Sequence, residues 1–269
     1  MSTTGAAPRT ALVLGGGGSR GAVEVGLYRA LVELGVRIDL VVSSSIGAVN
    51  GALIAAGLAP PELEAHWRET RTRDIVGSSW RFLRLLTGAA SVFSNDRLRS
   101  LLRRRLPVHS FSELRLPLAI VATDLESGES LTLTEGNLIE AILATTALPG
   151  LFPPIRWHGR WLVDGGLSNN IPIDVAVEQG AERVIGILCG CAKNLPPRAN
   201  LISVLGQSFS LAVNARVRCD LRLYERRVQL HILEPCLDSN LELLDFDHAS
   251  TLIEPAYQYA LRELRRQLT

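Results

Sequence analysis

The sequence predicts an α/β fold built on a mainly parallel central sheet, with a helical cap insertion between its early and late strands. Three observations carry this. TALVLGGGG followed by GAVEVGLYRALVELG reads as buried strand, glycine loop and helix; IDLVVSS followed by SIGAVNGALIAAG repeats strand, tight turn and helix. IPIDVAVEQGAERVIGILC later returns to helix, then strand. Two strand–turn–helix units in succession favour parallel neighbours joined by right-handed crossovers. With 269 residues and 47% hydrophobic content the chain sustains one large core, so a single domain over 1–269 is expected.

The elements follow in order. The first helix closes at Gly35 and the second, made of small residues, at Gly57, both as C-caps. From Pro60 to about Leu106 strand character disappears: PPELEAHWRETRTRDIV and SNDRLRSLLRRRL have helical spacing, which marks 60–106 as an insertion or cap. LPLAIVATDLESGESLTLTEG restores two strands around the turn ESGE, and NLIEAILATTALPG is a helix stopped at Pro149. IRWHGRWLVDGG reads as a hairpin turning at His158 and Gly159 and running into Asp164, Gly165 and Gly166. In the C-terminal part, 199–269, a long helix, the strand RVQLHILEP and a closing amphipathic helix are expected.

Composition excludes several classes of function. A net charge of +1, with no like-charge block longer than Arg103 to Arg105, gives no field to gather nucleic acid. No stretch approaches the ~20 apolar residues of a membrane span. The N-terminus lacks a basic segment ahead of an apolar one, so no signal peptide is expected, the mature chain begins near Met1, and a cytoplasmic location follows. Cys189, Cys191, Cys219 and Cys236 lack metal-ligand spacing, which fits reduced, packed thiols.

Three short motifs carry chemistry. In VVSSSIGAVNGA a strand delivers a serine to a helix N-terminus, as in a nucleophile elbow, whose sharp turn crowds the residues two before and two after the nucleophile. Those places want very small side chains, and Ser43 and Gly47 then select Ser45; Ser43 departs from the usual glycine. A helix cap is the other use of serine here. GGGGSRG also matches GxGxxG through Gly16, Gly18 and Gly21, a dinucleotide fingerprint, but the second strand ends in serines where the ribose-binding acid belongs. The same glycines can turn backbone N–H groups toward one anionic oxygen, or can serve only as a packing turn. None of His66, His109, His158, His231 or His248 lies in a loop placed to serve as the serine's base. Asp164 does close a strand and is followed by two glycines, as a base near Ser45 or as an ordinary turn aspartate.

Taken together, GGGGSRG, SSSIGAVNGA and VDGGLSNNIP, with TTALPGLFPP, resemble the patatin-like phospholipase family over about residues 10–190. The resemblance implies the patatin-like variant of a hydrolase fold, a three-layer α/β/α arrangement. It implies Ser45 as nucleophile and Asp164 as general base of a Ser-Asp dyad. Gly16, Gly17 and Gly18 would form the oxyanion hole, supported by Arg20, Gly21, Ser43, Gly47, Gly165 and Gly166. The implied activity is hydrolysis of a lipid ester through an acyl-serine intermediate, with no cofactor and no metal. A catalytically weak lipid-binding or regulatory member of the same fold is the alternative, with Ser43 as its motive, and a dinucleotide-binding oxidoreductase is a third reading. Trp80, Phe82, Leu83, Leu85, Leu86 and Phe93 are candidates for a pocket wall or peripheral membrane contact, with Arg81, Arg84, Arg97, Arg99 and Arg103 to Arg105 beside them for anionic headgroups. Headgroup, acyl length and oligomeric state do not follow from sequence.

Overall fold

A computed structural model describes residues 8–76, 91–189, 201–237 and 241–268. Its centre is one mixed sheet in the order β5-β6-β3-β2-β1-β7-β8, with β4 paired to β3 off this path. The strands are β1 (Thr10–Leu14), β2 (Leu40–Ser44), β3 (Leu118–Asp124), β4 (Ser130–Leu133), β5 (Ile155–Trp157), β6 (Arg160–Val163), β7 (Arg183–Ile187) and β8 (Gln229–Leu233). β3, β2, β1, β7 and β8 run parallel, whereas β4, β5 and β6 pair antiparallel.

Strand alternation divides the core into two layers. Leu12 and Leu14 of β1, Val41 of β2 and Ile120 of β3 face the larger layer. That layer holds helices α1 (Ala22–Glu33), α2 (Ile46–Ala55), α3 (Pro60–Glu69), α4 (Thr72–Ile75), α5 (Asp96–Arg105) and α6 (Leu138–Thr145), together with the closing helix. Ala11, Val13, Leu40, Val42 and Val121 face the opposite layer, formed by α7 (Ile173–Glu178) and by Val217 of α8 (Leu201–Tyr224). The closing helix, α9 (Ile253–Leu268), follows a short 3-10 turn at Ala249–Leu252. It packs along α1, where Gly26 permits the approach: a Cβ there would lie 2.6 Å from both the Ile253 carbonyl oxygen and the Tyr257 nitrogen.

Both hairpins form where the sequence places them, and His158 and Gly159 take positive φ at the β5–β6 turn, as a tight two-residue turn requires. The described parts of 60–106 are not set apart from the body: Leu63, Trp67, Leu98, Leu101 and Leu102 are buried in the larger layer. Trp80, Arg81, Phe82, Leu83, Arg84, Leu85 and Leu86 lie outside the described residues. Phe93 packs on Phe152 with ring centroids 5.8 Å apart. Arg99 pairs with Glu140 and Arg105 with Glu69, so these two guanidinium groups are engaged within the protein. Cys189 and Cys219 are free, but Cys236 is disulfide-bonded, which corrects the expectation of four reduced thiols. Among the described residues no helix is long and apolar enough to cross a membrane.

Candidate active site

Ser45 stands between the end of β2 and the start of α2 with φ 53° and ψ −129°, a conformation an L-residue adopts only under constraint. The constraint is visible on each side. Its N–H donates to Thr145 Oγ1 at 2.8 Å, and Thr145 in turn donates to the Val121 carbonyl on β3. Two residues on, Gly47 passes so close to the end of β1 that a Cβ would lie 2.5 Å from both the carbonyl carbon and the oxygen of Leu14. Glycine is therefore required two residues after Ser45 by a backbone neighbour that cannot yield.

The position two residues before is different. Ser43 is fully buried, and its hydroxymethyl group faces Gly51 of α2, where an added Cβ would lie 3.3 Å from both Ser43 Cβ and Oγ. The volume that glycine usually vacates at position 43 is vacated instead at position 51, one helical turn further into α2. Ser43 thus fits without displacing Ser45. Ser44 points to the other side of the strand, and a Cβ on Gly165 would lie 2.7 Å from its Oγ.

Asp164 follows β6 directly and is nearly buried. Its Oδ2 accepts the Ser45 hydroxyl at 2.7 Å and its Oδ1 accepts the Gly166 N–H at 2.8 Å, so both oxygens are fixed. Thr123 Oγ1 donates to the Asp164 carbonyl, and the Asp164 N–H donates to the Ala147 carbonyl. Gly165 is needed because a Cβ would lie 2.0 Å from the Val121 oxygen. Burial pushes the Asp164 carboxyl up to about 6, against the lowering effect of its bonds to Ser45 and Gly166. Among the described residues no histidine hydrogen-bonds Ser45 or Asp164.

The glycine loop lies against this pair. Gly16 is the nearest member, its constructed Cβ 3.1 Å from Ser45 Cβ. Its N–H donates to Asn170 Oδ1 at 2.9 Å, while the Gly15 carbonyl accepts the Gly47 N–H at 3.1 Å. The Ser19 N–H and hydroxyl donate to the carbonyls of Leu243 and Glu242, at 2.8 and 2.7 Å. Arg20 turns its Nε back to the Gly17 carbonyl at 3.4 Å, a long contact within the loop, and Gly21 packs so near Ile46 that only hydrogen fits there. Among the described residues the N–H groups of Gly17 and Gly18 have no hydrogen-bond acceptor.

The structure therefore brings Ser45, Asp164 and the loop 15–18 together from three separate stretches of chain. Sequence reasoning missed the residues that hold them: Thr145, Asn170, Thr123 and the carbonyls of 242 and 243. Asn170 and Thr145 were legible as members of quoted motifs, since both lie within VDGGLSNNIP and TTALPG. The two C-terminal carbonyls left no signal, because any residue supplies one.

A serine and a buried carboxylate thus meet at a strand–helix elbow, beside a glycine loop on a mixed α/β sheet. The family model for patatin-like phospholipase matches residues 12–177. The chain belongs to that family. It is 30% identical over 93% of its length to the patatin-like phospholipase domain-containing protein 7 of Rattus norvegicus, covering 20% of that protein. It is 34% identical over 71% of its length to an uncharacterized NTE family protein of Mycobacterium bovis, covering 52% of it. The chain thus spans about a fifth to a half of the curated relatives it matches. The fold is shared with VipD from Legionella pneumophila, at a TM-score of 0.55 and 14% identity, over 98% of this chain and 68% of that one.

Proposed function

We propose that the chain hydrolyses carboxylic esters of lipids by a Ser45–Asp164 dyad through an acyl-serine intermediate. The observation that carries this reading is the 2.7 Å hydrogen bond from Ser45 Oγ to Asp164 Oδ2 at a strained elbow. In the first half-reaction Ser45 Oγ attacks the ester carbonyl carbon while its proton passes to Asp164. The carbonyl oxygen, now an anion, is received by the backbone N–H groups of the glycine loop. Among the described residues the Gly17 and Gly18 N–H groups have no acceptor, whereas the Gly16 N–H is taken by Asn170, so the proposed three-glycine hole narrows to two. The C–O bond to the alcohol breaks, the proton on Asp164 leaves with the alcohol, and the acyl group stays on Ser45. Water then attacks the acyl carbon and gives its proton to Asp164, which passes it to Ser45 Oγ as the acyl C–Oγ bond breaks and the carboxylic acid leaves.

Asp164 suits this role because its carboxyl is lifted toward neutrality by burial yet held ionisable by two donors. A carboxylate near its ordinary value would be a weaker base for a serine hydroxyl. The test is a panel of phospholipid, lysophospholipid, acylglycerol and short p-nitrophenyl esters, run with wild type, Ser45→Ala and Asp164→Asn. Turnover of lipid esters by wild type, lost in both variants, supports the reading. Turnover that survives Ser45→Ala, or tight lipid binding with no turnover by folded wild type, contradicts it; the latter outcome is the non-catalytic lipid-binding alternative.

A further inference from the structure

One fully buried carboxyl has no part in the dyad. Glu24, in the first turn of α1, has no exposed surface, and burial pushes it up to about 8. Three donors converge on it. Asn50 Nδ2 from α2 lies 2.7 Å from Oε2, the Cys189 thiol from the end of β7 lies 3.6 Å from Oε1, and the Gly15 N–H also donates to the carboxyl.

Gly15 and Asn50 can only be donors there. Gly15 offers a backbone N–H. The Asn50 amide is oriented by its other bonds, since its Oδ1 accepts the Trp67 indole N–H at 2.8 Å and its Nδ2 also donates to the Gly21 carbonyl at 3.0 Å. Burial and the neighbouring Glu24 hold the Cys189 thiol well above its ordinary value, and so in its S–H form. A carboxyl pushed up to about 8 keeps its own proton at neutral pH, and the Cys189 sulfur, a weak acceptor as well as a donor, is the neighbour that can take it.

The three donors belong to segments that frame the proposed site. Gly15 opens the glycine loop, Asn50 lies on the elbow helix five residues after Ser45, and Cys189 packs against Gly17, where an added Cβ would lie 2.3 Å from its own Cβ. We propose that Glu24 is a positioning residue for the oxyanion hole: its carboxyl ties the start of the glycine loop to the elbow helix and, through Cys189, backs Gly17. With the Gly15 carbonyl bound by Gly47 and the Gly16 N–H by Asn170, the loop is held at its first two residues. This inference rests on the dyad reading above.

A residue that aims the oxyanion donors acts in the transition state and not on substrate binding, which separates it from a structural residue. The experiment measures kcat and KM on a lipid ester for wild type, Glu24→Gln, Glu24→Asp and Ser45→Ala, with inhibition by an alkyl boronic acid that forms a tetrahedral adduct on serine. Glu24→Gln keeps the size but replaces the O–H oxygen, which can still accept, by an NH2 group that cannot, so at least one of the three donors loses its acceptor. The expected result is a folded variant by circular dichroism whose kcat falls by about tenfold or more while KM stays within about twofold. The boronic acid weakens by the same factor as kcat. If Glu24→Gln does not fold, Glu24→Asp, which keeps the carboxyl but draws it back by one methylene, carries the same expectation. A folded variant with wild-type kcat, or one whose KM rises while kcat is unchanged, overturns the role of Glu24. Turnover surviving in Ser45→Ala overturns the dyad and this inference together, whereas turnover lost in Ser45→Ala but intact in Glu24→Gln overturns only the inference.

Discussion

Asp164 carries opposite demands from chemistry and from stability, and both can be measured. In the proposed dyad the ionised carboxylate accepts the Ser45 proton, so kcat/KM is expected to rise with pH through about 6, where burial places its titration. Stability runs the other way. Between the ordinary 3.8 and about 6 the folded protein keeps a proton that the unfolded chain has released, so the contribution of this group is fully present below 3.8 and lost as pH rises through about 6. Asp164→Asn removes that dependence. It is expected to lower hydrolysis by about 10² to 10⁴-fold while leaving the protein as stable as wild type at pH 8, or more stable by up to about 3 kcal/mol. Denaturant unfolding at pH 5 and pH 8 with parallel initial rates checks both; a variant less stable than wild type at pH 8 would contradict the account of the buried charge.

The elbow is an agreement among elements, and two substitutions separate its parts. Gly47→Ala sets a methyl group against the Leu14 carbonyl, a backbone neighbour, and is expected to cost about 2 to 3 kcal/mol and most of the activity. Ser43→Gly is expected to keep activity within a few-fold and to cost about 0.5 to 1 kcal/mol, because Gly51 already supplies the space and the new glycine adds only backbone freedom. Initial rates and thermal melts of the two variants side by side test this; a Ser43→Gly variant with much higher turnover would show that Ser43 does strain the site. The sequence was informative here because glycine is demanded where backbone passes close, and Gly47 and Gly165 stand at such places. It could not reveal that Gly51 compensates for Ser43, since that pairing across β2 and α2 is set by packing and not by spacing. Nor could it reveal that Gly16 gives its N–H to Asn170. Asn170→Ala frees that group and loosens the loop, and is expected to lower kcat by about tenfold with little change in KM.

Across the whole molecule, the C-terminal part closes the site from behind. Carbonyls of 242 and 243 hold Ser19, and α9 buries Ala256, Tyr257, Ala260 and Leu264 along α1, the helix that follows the glycine loop. The parallel units, the hairpins and the order of the helices were legible from hydrophobic periodicity and turn residues, which act locally. The clasp by 242 and 243 was not, because backbone carbonyls carry no residue signature. Leu264→Ala is expected to lower unfolding free energy by about 2 to 5 kcal/mol with kcat unchanged at a temperature where the variant stays folded, as checked by chemical denaturation. The joining of these distant segments at one serine is the central claim. Its most direct test is the rate of labelling by an alkyl fluorophosphonate as a function of pH, with the adduct located by peptide mass spectrometry. A single adduct on Ser45, forming at a rate that rises through pH about 6 and is lost in Asp164→Asn, is the predicted result. No adduct on the folded protein, an adduct on another residue, or a rate on Ser45 indifferent to pH and to Asp164 would contradict it.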